Sequence, residues 1–127
     1  MNQSFPKAEK LKRKKVIDSL FTQGKSIKAH PLILVYKECE LSEEHVKFQA
    51  GFSVSKRNHK TAVARNRVKR LMREAFRKNK HLIELQDKKV AVMFIYTGKN
   101  ILSYLQLEQL MVRVLEKLTK EVKNLPK

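Results

Sequence analysis

Apolar residues recur along the chain with two periods, one typical of β-strands and one typical of helices. The clearest alternation runs over residues 46–55, where one face is apolar and the other carries small polar residues. Residues 32–39 are rich in β-branched and aromatic side chains, which favours a preceding strand joined by a hairpin connection over 41–45. Residues 90–96 are apolar at nearly every position, and this pattern predicts a central strand covered on both faces.

Three further segments have the period of amphipathic helices. The first covers roughly residues 14–23. The second begins after Thr61, whose side chain is placed to cap the first turn. The third begins at a capping box made by Ser103 and Gln106 and continues to about Val122.

The resulting order α-β-β-α-β-α predicts an α/β (α+β) two-layer sandwich with three helices and a mixed sheet of about three to four strands. A chain of 127 residues suffices for one modest core, so we expect a single domain over 1–127. Because apolar runs are short and the basic N-terminus lacks a signal-peptide pattern, we expect a cytoplasmic protein that does not bind a membrane. The single cysteine, Cys39, is expected to pack at a strand end.

Positive charge is concentrated in one stretch of the chain. The formal net charge is +17, and residues 56–80 contain eleven Lys and Arg against one acid, Glu74. On a helical wheel the polar residues gather opposite the apolar stripe: Arg65, Asn66, Lys69, Arg70, Arg73, Arg77 and Lys80. Since arginine outnumbers lysine and interspersed acids are missing, this face favours nucleic acid over a merely solvated surface. An anionic membrane surface is the alternative partner.

The run SVSKRNHKTAVARNRVKRLMREAF, with Arg65-Asn66-Arg67 at its centre, resembles the RNR signature of the protein subunit of bacterial ribonuclease P. The order of elements extends the resemblance over nearly the whole chain. It implies an endoribonuclease subunit: the holoenzyme removes the 5′ leader from precursor tRNA, and the catalytic RNA performs the cleavage with Mg²⁺ bound mainly by that RNA. The protein would hold the leader and raise the affinity for substrate and metal. The family also implies a left-handed β-α-β crossover.

The resemblance implies two RNA-binding surfaces. The surface for the catalytic RNA would consist of Lys56, Arg57, Lys60, Arg65, Asn66, Arg67, Lys69, Arg70 and Arg73. The cleft for the leader would consist of Ile17, Phe21, Ile33, Val35, Ser53 and Ser55. Arg67 lies outside the main basic face of the wheel, so a contact to the preceding loop is an alternative role for it. Phe21 is the main stacking candidate, with a core position as its alternative, because Ile17 and Val35 stand where the family often has an aromatic residue.

The sequence predicts no catalytic and no metal-binding residues in the protein itself. Its acids are expected in turns or on exposed helix faces and form no D-x-D or E-x-x-H pattern, and the four histidines fall in separate connections. His59 alone lies near the basic helix, where it could contact a phosphate or serve as an ordinary loop residue. No obligate protein partner is evident. A ribosomal protein is the nearest rival interpretation, while a helix-inserting DNA-binding protein and a self-sufficient nuclease fit the pattern less well.

Overall fold

A computed structural model describes residues 14–38, 48–57, 59–83 and 89–123. The expected hairpin connection at 41–45 and the expected strand-end position of Cys39 lie outside these residues. Among the described residues, no helix combines the length and the apolar character that crossing a membrane requires.

Three helices and four strands make up the described fold, with a short 3-10 turn after the second helix. In chain order they are α1 (Lys14–Gln23), β1 (Lys25–Ala29), β2 (Leu32–Glu38), β3 (Phe48–Val54), α2 (Ala62–Asn79), the 3-10 turn (Lys80–Leu82), β4 (Val90–Tyr96) and α3 (Tyr104–Lys123). The predicted mixed sheet and the predicted helices are confirmed. One strand, β1, was not anticipated from the sequence; it is five residues long and only two of its side chains are buried.

The strand order is β1-β2-β4-β3, which corrects the expected hairpin between the second and third strands. Strand β2 pairs antiparallel with β1 on one side and with β4 on the other, so β2 and β3 are not neighbours. The all-apolar strand β4 takes the inner position between them because both of its faces need cover. The prediction of a central, doubly covered strand is therefore confirmed, whereas the hairpin pairing was wrong.

The main core lies between one face of the sheet and the helices α2 and α3. From α2, Val68, Met72, Ala75 and Phe76 are buried against this face. The ring of Phe76 lies 5.5 Å from Phe48, 5.9 Å from Phe52 and 5.3 Å from Phe94 between centroids. These four aromatic rings seat α2 on β3 and β4. Strands β3 and β4 run parallel and are joined through α2, as the predicted crossover requires; its left-handed sense stays a prediction.

Among the described elements, α1 is the one that packs on the opposite face of the sheet. Leu20 is buried there against Ala91 and Met93 of β4, forming a second and much smaller core. Lys37 of β2 donates hydrogen bonds to the side-chain oxygens of Ser19 and Gln23, so α1 is tied to the sheet by polar contacts as well. A ten-residue helix cannot cover four strands, and among the described residues Ile33, Ser53 and Ile95 on this face are only half-buried.

The helix starts follow the sequence signals. Thr61 accepts a hydrogen bond from the Ala64 amide at 3.2 Å, which confirms it as the cap of α2. The amide of Ser103 donates to Gln106 Oε1 at 3.1 Å and the amide of Gln106 donates to Ser103 Oγ at 3.3 Å, completing the predicted capping box. At the end of α1, Gly24 approaches Leu20 and Val35 so closely that a Cβ atom would lie 2.3 Å from the Leu20 carbonyl oxygen.

Replacing Phe76 with alanine should lower the free energy of unfolding by about 3–5 kcal/mol, since the change removes a fully buried ring from the aromatic cluster beneath α2. Urea denaturation followed by circular dichroism measures the loss. Phe21→Ala is the matched control, because that ring is 55% exposed, and it should cost less than about 1 kcal/mol. Equal losses in the two variants would contradict the assignment of Phe76 as the side chain that seats α2.

Candidate nucleic-acid interface

Helix α2 and the loop before it present most of the predicted RNA-binding residues to solvent. Seven of the nine are exposed: Lys56, Arg57, Lys60, Asn66, Arg67, Arg70 and Arg73. Arg65 and Lys69 are half-buried. The charged surface predicted from the sequence is thus assembled on one helix face and its entry loop, next to the positive end of the helix dipole.

The exposed face of α2 is rotated relative to the wheel drawn from the sequence. On the wheel Phe76 falls at the seam of the basic face, and the structure buries it completely against β3. Arg65 and Lys69 therefore lie at the border of the exposed face and are half-buried. Arg67, which the wheel left outside the basic face, is exposed. The basic surface consequently extends around the side of the helix that carries Arg67.

The border beside β3 carries a row of cations at four-residue intervals, Arg65, Lys69 and Arg73. The guanidinium of Arg73 lies over the Phe52 ring, 5.8 Å from its centroid. Among the described strands, β3 is the outermost on this side, so Arg73 lies at a sheet edge. The planar guanidinium of Arg73 is thereby held at the edge, where it could meet a phosphate.

The C-terminal end of the basic segment is partly neutralised inside the protein. Arg77 Nε donates to Glu74 Oε2 at 3.2 Å, and this contact holds the pKa of the Glu74 carboxyl below its usual value and raises the pKa of Arg77. The ammonium of Lys78 lies 5.5 Å from the centroid of the Tyr104 ring of α3. The charge available to an external anion is therefore concentrated toward the N-terminal end of α2 and its loop.

The loop before α2 is anchored to the body of the protein by His59. The side chain is 6% exposed and its Nε2 lies 2.7 Å from the Gly98 carbonyl oxygen, to which it donates. Its ring packs near that of Tyr96, 6.0 Å between centroids. Of the two roles considered for His59, the structure supports that of a buried loop residue, since the ring is turned away from solvent.

Arg65 makes the loop contact that was considered for Arg67. Its Nη1 donates to the carbonyl oxygens of His59 and Lys60, both at 2.9 Å. The first arginine of the RNR sequence therefore binds the protein's own backbone, whereas Arg67 extends from an exposed position.

The predicted cleft residues share the face of the sheet that α1 only partly covers. Ile17 and Val35 pack at the border of the small core beneath α1. Phe21 follows Ile17 by one helical turn and is 55% exposed, so the alternative of a core position is wrong. Ile33 and Ser53 are half-buried on the same face, and Ser55 follows the end of β3, where its amide donates to the Tyr96 carbonyl oxygen at 3.2 Å.

Strand register adds two residues to the predicted cleft that the sequence did not reveal, Ile95 and Lys28. Across the strand order β1-β2-β4-β3, the aligned residues are Lys28, Ile33, Ile95 and Ser53. These four side chains form one row across the sheet, spaced by about 4.8 Å per strand. Ile95 was missed because its whole strand is apolar, although it is the one half-exposed residue of β4. Lys28 was missed because β1 was not recognised as a strand.

The described carboxylates and histidines bear on whether the protein itself could bind a metal ion. Among them, no three His, Cys, Asp or Glu residues form a group that could hold a metal ion. Glu108 accepts hydrogen bonds from Asn79 and Tyr104, and Glu121 accepts one from Tyr36. Burial, reinforced by Glu121, raises the pKa of Tyr36 to about 12. These carboxylates serve contacts between α3 and the rest of the fold.

Comparison with known proteins identifies the family to which this chain is similar. The family model described as Ribonuclease P matches residues 5–119. The ribonuclease P protein component of Porphyromonas gingivalis is 35% identical over 115 residues, covering 86% of this chain and 82% of the relative. That of Chlorobium phaeobacteroides is 36% identical over 125 residues, covering 88% and 86%.

Two solved structures have the same fold. The RNase P protein of Staphylococcus aureus superposes with a TM-score of 0.68 at 23% identity, covering 90% of this chain and 97% of that protein. The RNase P protein of Thermotoga maritima superposes with a TM-score of 0.70 at 21% identity, covering 86% and 96%. Because the sequence family matches nearly end to end and the folds agree, this chain belongs to the ribonuclease P protein family.

Proposed function

We propose that this chain is the RNA-binding subunit of ribonuclease P that holds the catalytic RNA on the basic face of α2 and the 5′ leader of precursor tRNA in the cleft beside α1. Family membership makes it a ribonuclease P protein component and assigns it to tRNA processing. The two surfaces and their ligands are the proposed part. The observation that carries it is the exposed cationic surface of α2 and its entry loop, set beside an incompletely covered sheet face.

The basic surface is suited to phosphates in composition and placement. Of the net charge of +17, a surplus of ten falls in residues 56–80. Arginine side chains such as Arg70 and Arg73 are exposed there and can bind phosphate oxygens with two parallel hydrogen bonds. Binding by such groups releases counterions from RNA, which gives affinity without base specificity. A catalytic RNA whose backbone crosses α2 would be held in this way.

The cleft is suited to single-stranded RNA. Its floor is a row of apolar and small side chains, Ile33, Ile95 and Ser53, with Lys28 at one end. The exposed ring of Phe21 stands on α1 beside this floor. Unpaired bases stack on aromatic side chains with little sequence demand, and a lysine at the end of the row can meet a backbone phosphate.

The cleavage chemistry is assigned to the RNA component with its bound Mg²⁺. Three of the described carboxylates make structural contacts: Glu74 pairs with Arg77, and Glu108 and Glu121 accept hydrogen bonds. They do not offer the clustered oxygen ligands that a magnesium site of the protein would need. The protein raises the affinity for substrate and Mg²⁺ by offsetting repulsion between two polyanions.

Binding of the catalytic RNA can be tested with the double variant Arg70→Ala, Arg73→Ala. We expect wild-type protein to rescue 5′ cleavage of a precursor tRNA by a bacterial ribonuclease P RNA at low Mg²⁺. The double variant should bind that RNA about tenfold or more weakly, and the slope of log affinity against log salt should fall by about 1.5. Filter binding over a salt series measures both quantities.

The matched control for that experiment is Lys117→Ala, Lys120→Ala, which removes two exposed cations from α3. Its affinity and salt slope should remain close to wild type. No rescue by wild-type protein would favour the ribosomal interpretation, to be checked by binding to ribosomal RNA. Cleavage by the protein alone would refute the assignment of the chemistry to the RNA.

Leader binding can be tested with Phe21→Ala and Lys28→Ala. Loss of one stacking platform or one phosphate contact should weaken binding of precursor tRNA with a leader of several nucleotides by about tenfold. The affinity for mature tRNA, which has no leader, should not change. Leu105→Ala is the control, because Leu105 is a comparably exposed apolar side chain on α3, at 70%. If the variants weaken both tRNAs equally, the leader does not lie in this cleft.

A further inference from the structure

The half-buried position of Arg65 separates it from the exposed arginines of the same helix. Its Nη1 is shared between two carbonyl oxygens of the preceding loop, those of His59 and Lys60, at 2.9 Å each. Hydrogen bonds from a charged donor are stronger than those between neutral groups. The guanidinium is thus committed to the backbone of residues that lie five and six positions before it.

The same loop is held from its other side by the sheet. His59 donates through Nε2 to the Gly98 carbonyl oxygen at 2.7 Å, and its amide donates to the Ser55 carbonyl oxygen at 3.1 Å. The amide of Ser55 in turn donates to the Tyr96 carbonyl oxygen at 3.2 Å. Arg65 therefore anchors the loop to α2, and these other hydrogen bonds anchor it to β4 and to the residues that follow β4.

The loop that these hydrogen bonds hold carries three exposed cations, Lys56, Arg57 and Lys60. A loop that is ordered before binding loses less conformational freedom when it meets its ligand, which raises affinity. The three positive charges of the loop repel one another and lie at the positive end of the α2 dipole. In the free protein this repulsion disfavours the ordered conformation of the loop. The two hydrogen bonds from Arg65 to loop carbonyl oxygens counteract this repulsion.

We propose that Arg65 is a positioning residue that fixes the loop bearing Lys56, Arg57 and Lys60 for contact with RNA, and that it acts through His59 and Lys60 and not through a phosphate of its own. The RNA part of this inference rests on the proposed function. The anchoring part concerns the free protein alone. The exposed neighbours Arg70 and Arg73 keep the role of direct phosphate ligands.

Amide hydrogen exchange of the free full-length protein, followed by NMR, tests the anchoring. In Arg65→Ala the amide of His59 should exchange at least tenfold faster than in wild type, while the amide of Phe94 in β4 keeps its rate. Arg70→Ala removes the same side chain from an exposed position of the same helix and should leave the His59 rate unchanged. An unchanged His59 rate in Arg65→Ala overturns the proposal.

Arg65→Lys supplies a second variant that preserves the charge, and it also serves if the alanine variant does not fold. A single ammonium group replaces the guanidinium that bridges the two carbonyl oxygens. We expect faster exchange at His59 and an affinity for ribonuclease P RNA within about threefold of that of Arg65→Ala, although the formal charge is intact. Wild-type affinity in Arg65→Lys would show that Arg65 acts by its charge and would overturn the proposal.

A double-mutant cycle with Lys60→Ala gives the remaining readout. If Arg65 positions Lys60, then Lys60→Ala should weaken RNA binding several-fold in wild type and by less than twofold in Arg65→Ala. Equal losses in both backgrounds would mean independent contacts and would overturn the positioning role. If wild-type protein does not bind ribonuclease P RNA at all, the proposed function fails, and the exchange rates still decide whether Arg65 anchors the loop.

Discussion

The packing of Phe76 of α2 against the sheet is the contact on which the proposed RNA-binding surface depends. Phe76 is buried among Phe48, Phe52 and Phe94, and this packing fixes the rotation of the helix about its own axis. Rotation decides which cations face solvent and which lie at the border of the sheet. A helix with the same composition but a different buried side would present a different set of arginines, so the core determines the pattern of the charged surface.

Strand β3 connects the two proposed RNA surfaces. Its side chains alternate between the faces of the sheet, so that Phe52 contacts α2 and Arg73 on one side while Ser53 lies in the cleft row on the other. The chain then leaves β3 directly into the loop that carries Lys56 and Arg57. A leader that crosses the sheet toward Ser53 would therefore arrive beside the cations proposed to face the catalytic RNA. In the proposed arrangement, substrate and catalytic RNA would lie on adjoining parts of one small protein.

The sequence predicted the helices and the long strands well because their signals are local. Capping at Thr61 and at Ser103 depends on residues within one turn, and both were confirmed. Strand pairing depends on contacts between distant segments, and the expected hairpin was wrong because β4 is inserted between β2 and β3. Ile95 shows the same limit in the candidate site, since its exposure depends on how far α1 extends over the sheet.

The roles of Arg65 and Arg67 could not be separated by a helical wheel, because a wheel treats the helix as isolated from its loop. The residues directly before α2 place two carbonyl oxygens, those of His59 and Lys60, within hydrogen-bonding distance of Arg65. Those partial negative charges offset a cation at a helix end where the dipole disfavours one. Lys56, Arg57 and Lys60 are exposed on the same loop, and a polyanion would relieve their mutual repulsion. Any ligand that binds the folded state in this way also stabilises it, so the proposed RNA binding would be linked to fold stability at the entry to α2.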